Sequence, residues 1–194
     1  MAGDRPQSQR PEPRVLRESD LPALQRFFDS NPEYFLAVGG EPPRADEAER
    51  EFRDVPPAGM AYRDMFLLGW FASDDELVAM ATVVGDLIAE HVWHIGLFIV
   101  ATALHGGGEA HAMYAQLEDW MVARGAHWIR LGVVVGNARA ERFWARSGYA
   151  QVRERGPLQM GQRTNLLRVM VKPLGGRAIE PYLALVARDR PDAP

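Results

Sequence analysis

The sequence predicts an α/β (α+β) domain, in which apolar strands joined by short turns surround one parallel crossover. Three observations carry this. The glycine-rich stretch His105-Gly106-Gly107-Gly108-Glu109-Ala110 lies between an apolar run, Trp93 to Val100, and an amphipathic segment, Ala110 to Arg124. A second apolar run, Trp128 to Val135, follows, and strand–helix–strand of this length is a right-handed crossover between parallel strands. Elsewhere strands come in pairs with turn residues between them, as in a hairpin. The length of 194 residues and a 47% hydrophobic composition suit one domain with a sizeable core.

In chain order, residues 1–13 are polar and proline-containing and read as a disordered tail. Arg14 to Arg17 reads as a short first strand. Ser19 or Asp20 can cap a helix whose Leu21, Leu24, Phe27 and Phe28 share a face, and Asn31-Pro32 stops it. Glu33 to Leu36 then leads into a Gly-Pro-rich loop, Gly39 to Pro43. Ala45 to Arg53 reads as a charged, solvated helix. Met65 to Ala72 and Leu77 to Ile88 are strands around the turn Ser73-Asp74-Asp75-Glu76. Val92 to Val100 is a third strand, and Gly96 inside it signals a bulge or a close backbone approach. A regular strand would place His94, Gly96 and Phe98 on one face.

After the glycine turn, Met113, Tyr114, Leu117, Trp120 and Met121 recur at helical spacing, and Gly125 ends that helix. Trp128 to Val135 is apolar apart from Arg130 and reads as central and buried. Gly136-Asn137 starts a helix over Ala138 to Arg146, ended by Gly148. Tyr149 to Glu154 and Leu166 to Val171 form the last hairpin, with loop signals at Gly156-Pro157 and Gly161 to Asn165. Beyond Gly175-Gly176, Pro181 suits the first turn of a short helix. Its Tyr182, Leu183, Leu185 and Val186 can dock on the domain or on a second subunit, as in a homodimer.

Composition excludes several function classes. The formal charge of −4 offers no global attraction to nucleic acid. There are no cysteines, hence no disulfide, thiolate metal site or cysteine nucleophile. The five histidines lack metal-ligand spacing, so no metal is expected. No apolar run spans a membrane and none resembles a leader, which points to the cytoplasm. At the glycine turn, residues without Cβ and the unpaired N–H groups that open a helix suit a phosphate or pyrophosphate, although many such turns are only tight turns. The G-x-G-x-x-G dinucleotide pattern fails because its third glycine position holds His111. No Gly-Lys pair supplies a P-loop.

The stretch His105 to Ala110 is similar to the Q/R-x-x-G-x-G/A signature of the GCN5-related N-acetyltransferase (GNAT) family, with His at the first position. The block Leu131 to Tyr149, containing Asn137-Ala138-Arg139-Ala140-Glu141-Arg142-Phe143-Trp144 and ending Gly148-Tyr149, resembles the same family's N-x-x-A-x-x-F-Y-x-x-x-G-F. The resemblance covers residues 14–174 and leaves 175–194 as a C-terminal extension. It implies a mixed, mostly antiparallel sheet of six to seven strands flanked by helices, with a splayed central parallel pair. It further implies an acetyl-CoA-dependent N-acetyltransferase that moves acetyl directly to a primary amine of a small molecule or peptide.

Residue by residue, the resemblance places the pantetheine arm along the backbone of Phe98, Ile99 and Val100. It places the pyrophosphate on the backbone amides of Gly106, Gly107, Gly108, Glu109 and Ala110 behind His105. Asn137 lies beside the pantetheine, and Ala140, Phe143 and Trp144 line the thiol end. His94 stands at the distance where the family often carries a general base, and an imidazole of ordinary pKa about 6.5 suits that task. Glu90 and His91 are alternatives. Trp144 replaces the tyrosine that many members use to protonate the departing thiolate, which leaves Tyr114, Tyr149 or water. The acceptor region falls at about residues 31–54 and 156–165. Glu33 and Tyr34 are substrate candidates there, and Glu41, Asp46 and Glu47 make it acidic. The alternatives to an acetyltransferase are a non-catalytic acyl-CoA-binding module and an acyltransferase that uses a longer acyl-CoA.

Overall fold

The computed structural model describes residues 11–73 and 75–193. Most of the predicted tail, Asp74 of the predicted first-hairpin turn and Pro194 lie outside the described residues.

Seven strands form one sheet in the order β1-β2-β3-β4-β5-β7-β6. They are β1 (Arg14–Val15), β2 (Asp64–Ser73), β3 (Glu76–Gly85), β4 (Val92–Val100), β5 (Trp128–Val134), β6 (Ala150–Met160) and β7 (Arg163–Pro173). All neighbours run antiparallel except β4 and β5, the pair joined by the predicted crossover. One face carries α4 (Glu109–Val122) and α5 (Ala138–Arg146). The other carries α1 (Leu21–Ser30), α2 (Glu33–Val38) and α3 (Glu47–Arg53).

Each face has its own core, because side chains alternate across a strand. Trp70, Trp93, Ile95 and Ile129 meet Tyr114, Leu117 and Met121 of α4. Leu67, Met80, Leu97 and Ile99 meet Leu24, Phe27 and Phe28 of α1. The C-terminal segment closes one end of the sheet. In α6 (Glu180–Leu185) and the residue after it, Tyr182 and Val186 are fully buried against Val92, Trp128 and Val171. These side chains therefore dock on the domain, while Leu185 stays exposed.

The bulge predicted at Gly96 is present. Thr82 pairs with Leu97 and Val83 with Ile95, so Gly96 is the extra residue on β4. The bulge reverses the facing of everything after it. Trp93 and Ile95 point to the α4 face, whereas Leu97 and Ile99 point to the α1 face. The expectation that His94 and Phe98 share a face is therefore corrected. Phe98 packs with Tyr114, Phe143 and Trp144, and His94 lies opposite, beneath α3. Parallel pairing of β4 with β5 stops at Ile95 and Leu131. The two strands then part, as the resemblance implied.

Several boundaries move. Glu33 to Leu36 is part of helix α2. β3 stops at Gly85, because Asp86 and Ile88 adopt left-handed backbone angles that no strand accommodates. Gly156-Pro157 does not end β6. A register shift between Arg155 and Leu158 absorbs it, and the strand continues to Met160. Asp20 does not cap α1 with its side chain; its carboxylate instead accepts from Arg14 and from the Arg17 N–H. Asn137 does cap α5, accepting from the Ala140 N–H at 3.2 Å. Asn137→Ala is expected to cost about 1 kcal/mol, read as a lower denaturant midpoint, with Asn137→Asp close to wild type.

Candidate active site

Two cavities flank the bulged strand. The first, of ≈ 670 Å³, opens where β4 and β5 separate. Phe98, Ile99 and Val100 form its floor, and Asn137, Ala140, Phe143 and Trp144 form the α5 wall. Gly106, Gly108 and Ala110 form its third side with His105. The resemblance assigned all of these to one ligand, and the fold brings them together from three separate stretches of chain. Gly107 and Glu109 of the same turn do not line the cleft.

The turn has the geometry of an anion cradle. Gly106 and Gly108 both hold φ near +89°, and a Cβ on either, or on Gly107, would meet nothing within 4 Å. The first bonds of α4 run from the His111 and Ala112 N–H groups to the Gly108 carbonyl. Amides before them therefore precede the helical ladder, at the positive end of the α4 dipole.

His105 departs from the family pattern in a defined way. Its Nε2 lies 2.8 Å from the Val100 carbonyl oxygen, and its buried Nδ1 has no hydrogen-bond partner among the described residues. The ring thus ties the glycine turn to the end of β4. The cationic lining comes instead from Arg139, Arg142 and Arg146 on α5. The sequence reading missed these three, although their i, i+3, i+7 spacing placed them on one helix face. These features fit coenzyme A: an amide cradle with nearby guanidinium groups for phosphates, and an unpaired strand edge beside apolar side chains for a slender arm.

Glu33 lines this same cleft, not the second cavity. Its Oε2 accepts from the Thr102 hydroxyl at 2.8 Å. Its own backbone N–H, followed by the Thr102 bond, holds its carboxyl below the usual value. Tyr34 lines both cavities, and burial pushes its phenol pKa up. Tyr114 and Tyr149 bond each other at 3.1 Å in the core, and neither lines either cavity. Burial drives both phenols far up.

The second cavity, of ≈ 480 Å³, lies on the other face beneath α2 and α3. His94, Gly96 and Leu97 form its floor with Thr82, and Glu51 and Tyr34 face it from the helices. His94 Nδ1 is 3.1 Å from the Arg130 carbonyl oxygen and 3.3 Å from the Arg130 guanidinium. Burial first, then the Arg130 charge, push its pKa down to about 3, so the ring is neutral at pH 7. Arg130 is itself buried and paired with Asp189 of the C-terminal segment, at 2.6 Å and 3.2 Å. Glu90 and His91 are absent from both cavities.

The tip of the β6–β7 hairpin covers this cavity. The Gln162 N–H donates to the Gly39 carbonyl at 2.8 Å, Arg163 to the Ala37 carbonyl at 2.9 Å and Asn165 to the Val38 carbonyl at 2.8 Å. The two segments expected to form the acceptor site are thus bonded to each other.

Among the described residues no group of three or more His, Asp or Glu side chains is placed to hold a metal, and no helix is long and apolar enough to cross a membrane.

Comparison with known proteins agrees with this geometry. Sequence comparison detects no relative among curated proteins. Among solved structures, a ribosomal-protein-alanine N-acetyltransferase from Brucella melitensis matches with a TM-score of 0.61 at 22% identity, over 84% of this chain and 99% of that one. An acetyltransferase from Thermus thermophilus matches at 0.63 and 23%, over 84% and 96%. A spermidine N-acetyltransferase from Vibrio cholerae, in complex with CoA and spermine, matches at 0.62 and 16%, over 86% and 96%. At these identities the likeness is one of fold. The sequence profile of the acetyltransferase (GNAT) family, however, matches residues 20–149, from the start of the first helix to the end of the Asn137–Tyr149 block. The chain belongs to the GNAT family of acetyltransferases.

Proposed function

We propose that the protein transfers acetyl from acetyl-CoA to the primary amine of a small molecule. The observation that carries this reading is the placement of the two cavities. They share Tyr34 and take in adjoining stretches of β4, the bulge residue Gly96 with Leu97 in the second and Phe98 to Val100 in the first. A ligand laid along residues 96–100 brings its reactive end to that bulge, and an acceptor in the second cavity approaches the same point.

The amides around Gly106, Gly108 and Ala110 hold the pyrophosphate, assisted by Arg139 and Arg142. The β4 edge beyond Ile95, no longer paired with β5, offers backbone groups to the pantetheine. Ala140, Phe143 and Trp144 enclose the thiol end, and Asn137 fixes the start of α5 beside it. Acetyl-CoA, when bound, supplies an activated thioester carbonyl. Two side chains in the acceptor cavity can take the amine proton, His94 and Glu51. The hairpin bonds that cover the cavity favour a compact acceptor over a threaded polypeptide.

The test is thiol release from acetyl-CoA against a panel of small amines and N-terminal peptides, with cofactor binding followed by calorimetry. We expect turnover with small amines and little with peptides. Acetyl-CoA binding without release by any amine would instead support a binding module, the reading that Trp144 in place of tyrosine favours. Tighter binding of a longer acyl-CoA would redirect the acyl assignment.

A further inference from the structure

We propose that Glu51 is the general base for the acceptor amine, positioned by Thr82, and that the acceptor binds as a compact primary ammonium ion. This rests on the acetyltransferase reading. In sequence Glu51 belongs to a charged helix that reads as solvated. In the fold it turns inward, and Thr82 donates its hydroxyl to Glu51 Oε1. Thr82 is buried in β3 and pairs with Leu97, the residue after the bulge. Its Cβ and Cγ2 are 3.9 Å from where a side chain on Gly96 would begin. Thr82 thus adjoins both the carboxylate it holds and the bulge, and all three line the acceptor cavity.

The surrounding charges leave Glu51 suited to the role. Burial raises its carboxyl pKa, the Thr82 bond opposes this, and Asp54 and Glu47 raise it further. The cations that face the cavity are Arg50 on the same helix, Arg44 from the connection before it and Arg130 from β5. Arg44 lies 3.8 Å from Glu41, and Arg130 is paired with Asp189. His94, on β4, is neutral at working pH. Tyr34, on α2, keeps its proton. A base works best when its pKa lies near the operating pH. Glu51 moves toward that range while His94 moves away from it. The remaining wall, with Phe35, Val38, Met65 and Leu97, suits an apolar body behind the nitrogen.

In the step itself, Glu51 takes one proton from the ammonium. The freed nitrogen pair forms the C–N bond at the acyl carbon of the thioester. The C–S bond breaks with its electron pair on sulfur, and the second amine proton reaches that sulfur through water. Amide, free thiol and one proton on Glu51 result, and Glu51 releases its proton to solvent.

Glu51→Gln keeps the shape and can still accept from Thr82. It is expected to lower kcat by about 100-fold or more, with acetyl-CoA affinity by calorimetry unchanged and the acidic limb of the pH–rate profile lost. Thr82→Val should lose less and shift that limb. In the cofactor-free protein, carboxyl NMR should show one side chain titrating above the ordinary glutamate value, and that signal should be absent from Glu51→Gln. A wild-type profile in Glu51→Gln, a limb that moves only in His94→Gln, or a Glu51 carboxyl with an ordinary titration overturns the inference alone. A wild-type protein that binds acetyl-CoA and acetylates no amine overturns the acetyltransferase reading and this inference with it.

Discussion

Asp189→Ala is expected to lower the unfolding free energy by about 3–5 kcal/mol, because it strands a buried guanidinium. Asp189 is fully buried, and its carboxylate holds the 7%-exposed Arg130 through two bonds and accepts a third from the Tyr182 hydroxyl. The loss should appear as a lower denaturant midpoint at unchanged slope. Arg130→Met with Asp189→Leu should recover most of it, since a buried pair can be replaced by apolar side chains at little cost while half a pair cannot remain. The pH dependence has a definite sign. Burial pushes the Asp189 carboxyl up, but the Arg130 bonds and charge outweigh it, so the folded pKa lies below 3.8. Its contribution is fully present above the unfolded pKa and is lost as pH falls through the folded one. The difference between wild type and Asp189→Ala should therefore hold through neutral pH and shrink only in acid.

The second large effect concerns the cofactor. Gly106→Val with Gly108→Val is expected to weaken acetyl-CoA binding by about 100-fold or more, which corresponds to losing one or two charge-assisted bonds from the turn. Both positions hold φ near +89°, where a β-branched residue is strained by roughly 1–2 kcal/mol. The turn would rebuild with its amides redirected. Since the added Cβ atoms meet no protein atoms, the variant should fold with a native circular dichroism spectrum. Calorimetry then reads the binding loss without a folding artefact. Unchanged affinity would exclude this turn as the phosphate site.

The fold was legible where local chemistry decides conformation. Apolar runs marked β2 to β5, the glycine turn marked the crossover, and an isolated Gly96 marked the bulge. It was misread where tertiary contacts override local signals. Gly156-Pro157 reads as a loop, yet β7 holds β6 beyond it as a strand with a shifted register.

Most of the lining of the first cavity could be read because it comes from three short contiguous stretches, Phe98 to Val100, His105 to Ala110 and Asn137 to Trp144. The acceptor side could not. Glu51 shares a helix face with Ala48 and Phe52, three residues before it and one after. That face was the available signal, and the density of charge on the helix hid it. Arg130 did announce itself as a charge inside an apolar strand, which demands a partner. Its partner lies 59 residues on, beyond any local pattern. The consequence of the bulge for side-chain facing was likewise invisible, because it depends on which β3 residues face β4, not on β4 itself.

The parting of β4 from β5 also has a bearing on association. An open strand edge is normally a hazard, since it templates pairing with another polypeptide and must be blunted by charge, proline or brevity. Here the open edge lies in the interior of the sheet, between α4 and α5, and spans only residues 96–100 before the chain turns away. Its place inside the sheet, not at a border, and its brevity do the blunting that charge or proline does elsewhere. The parting that opens the first cavity thereby leaves no template for aggregation.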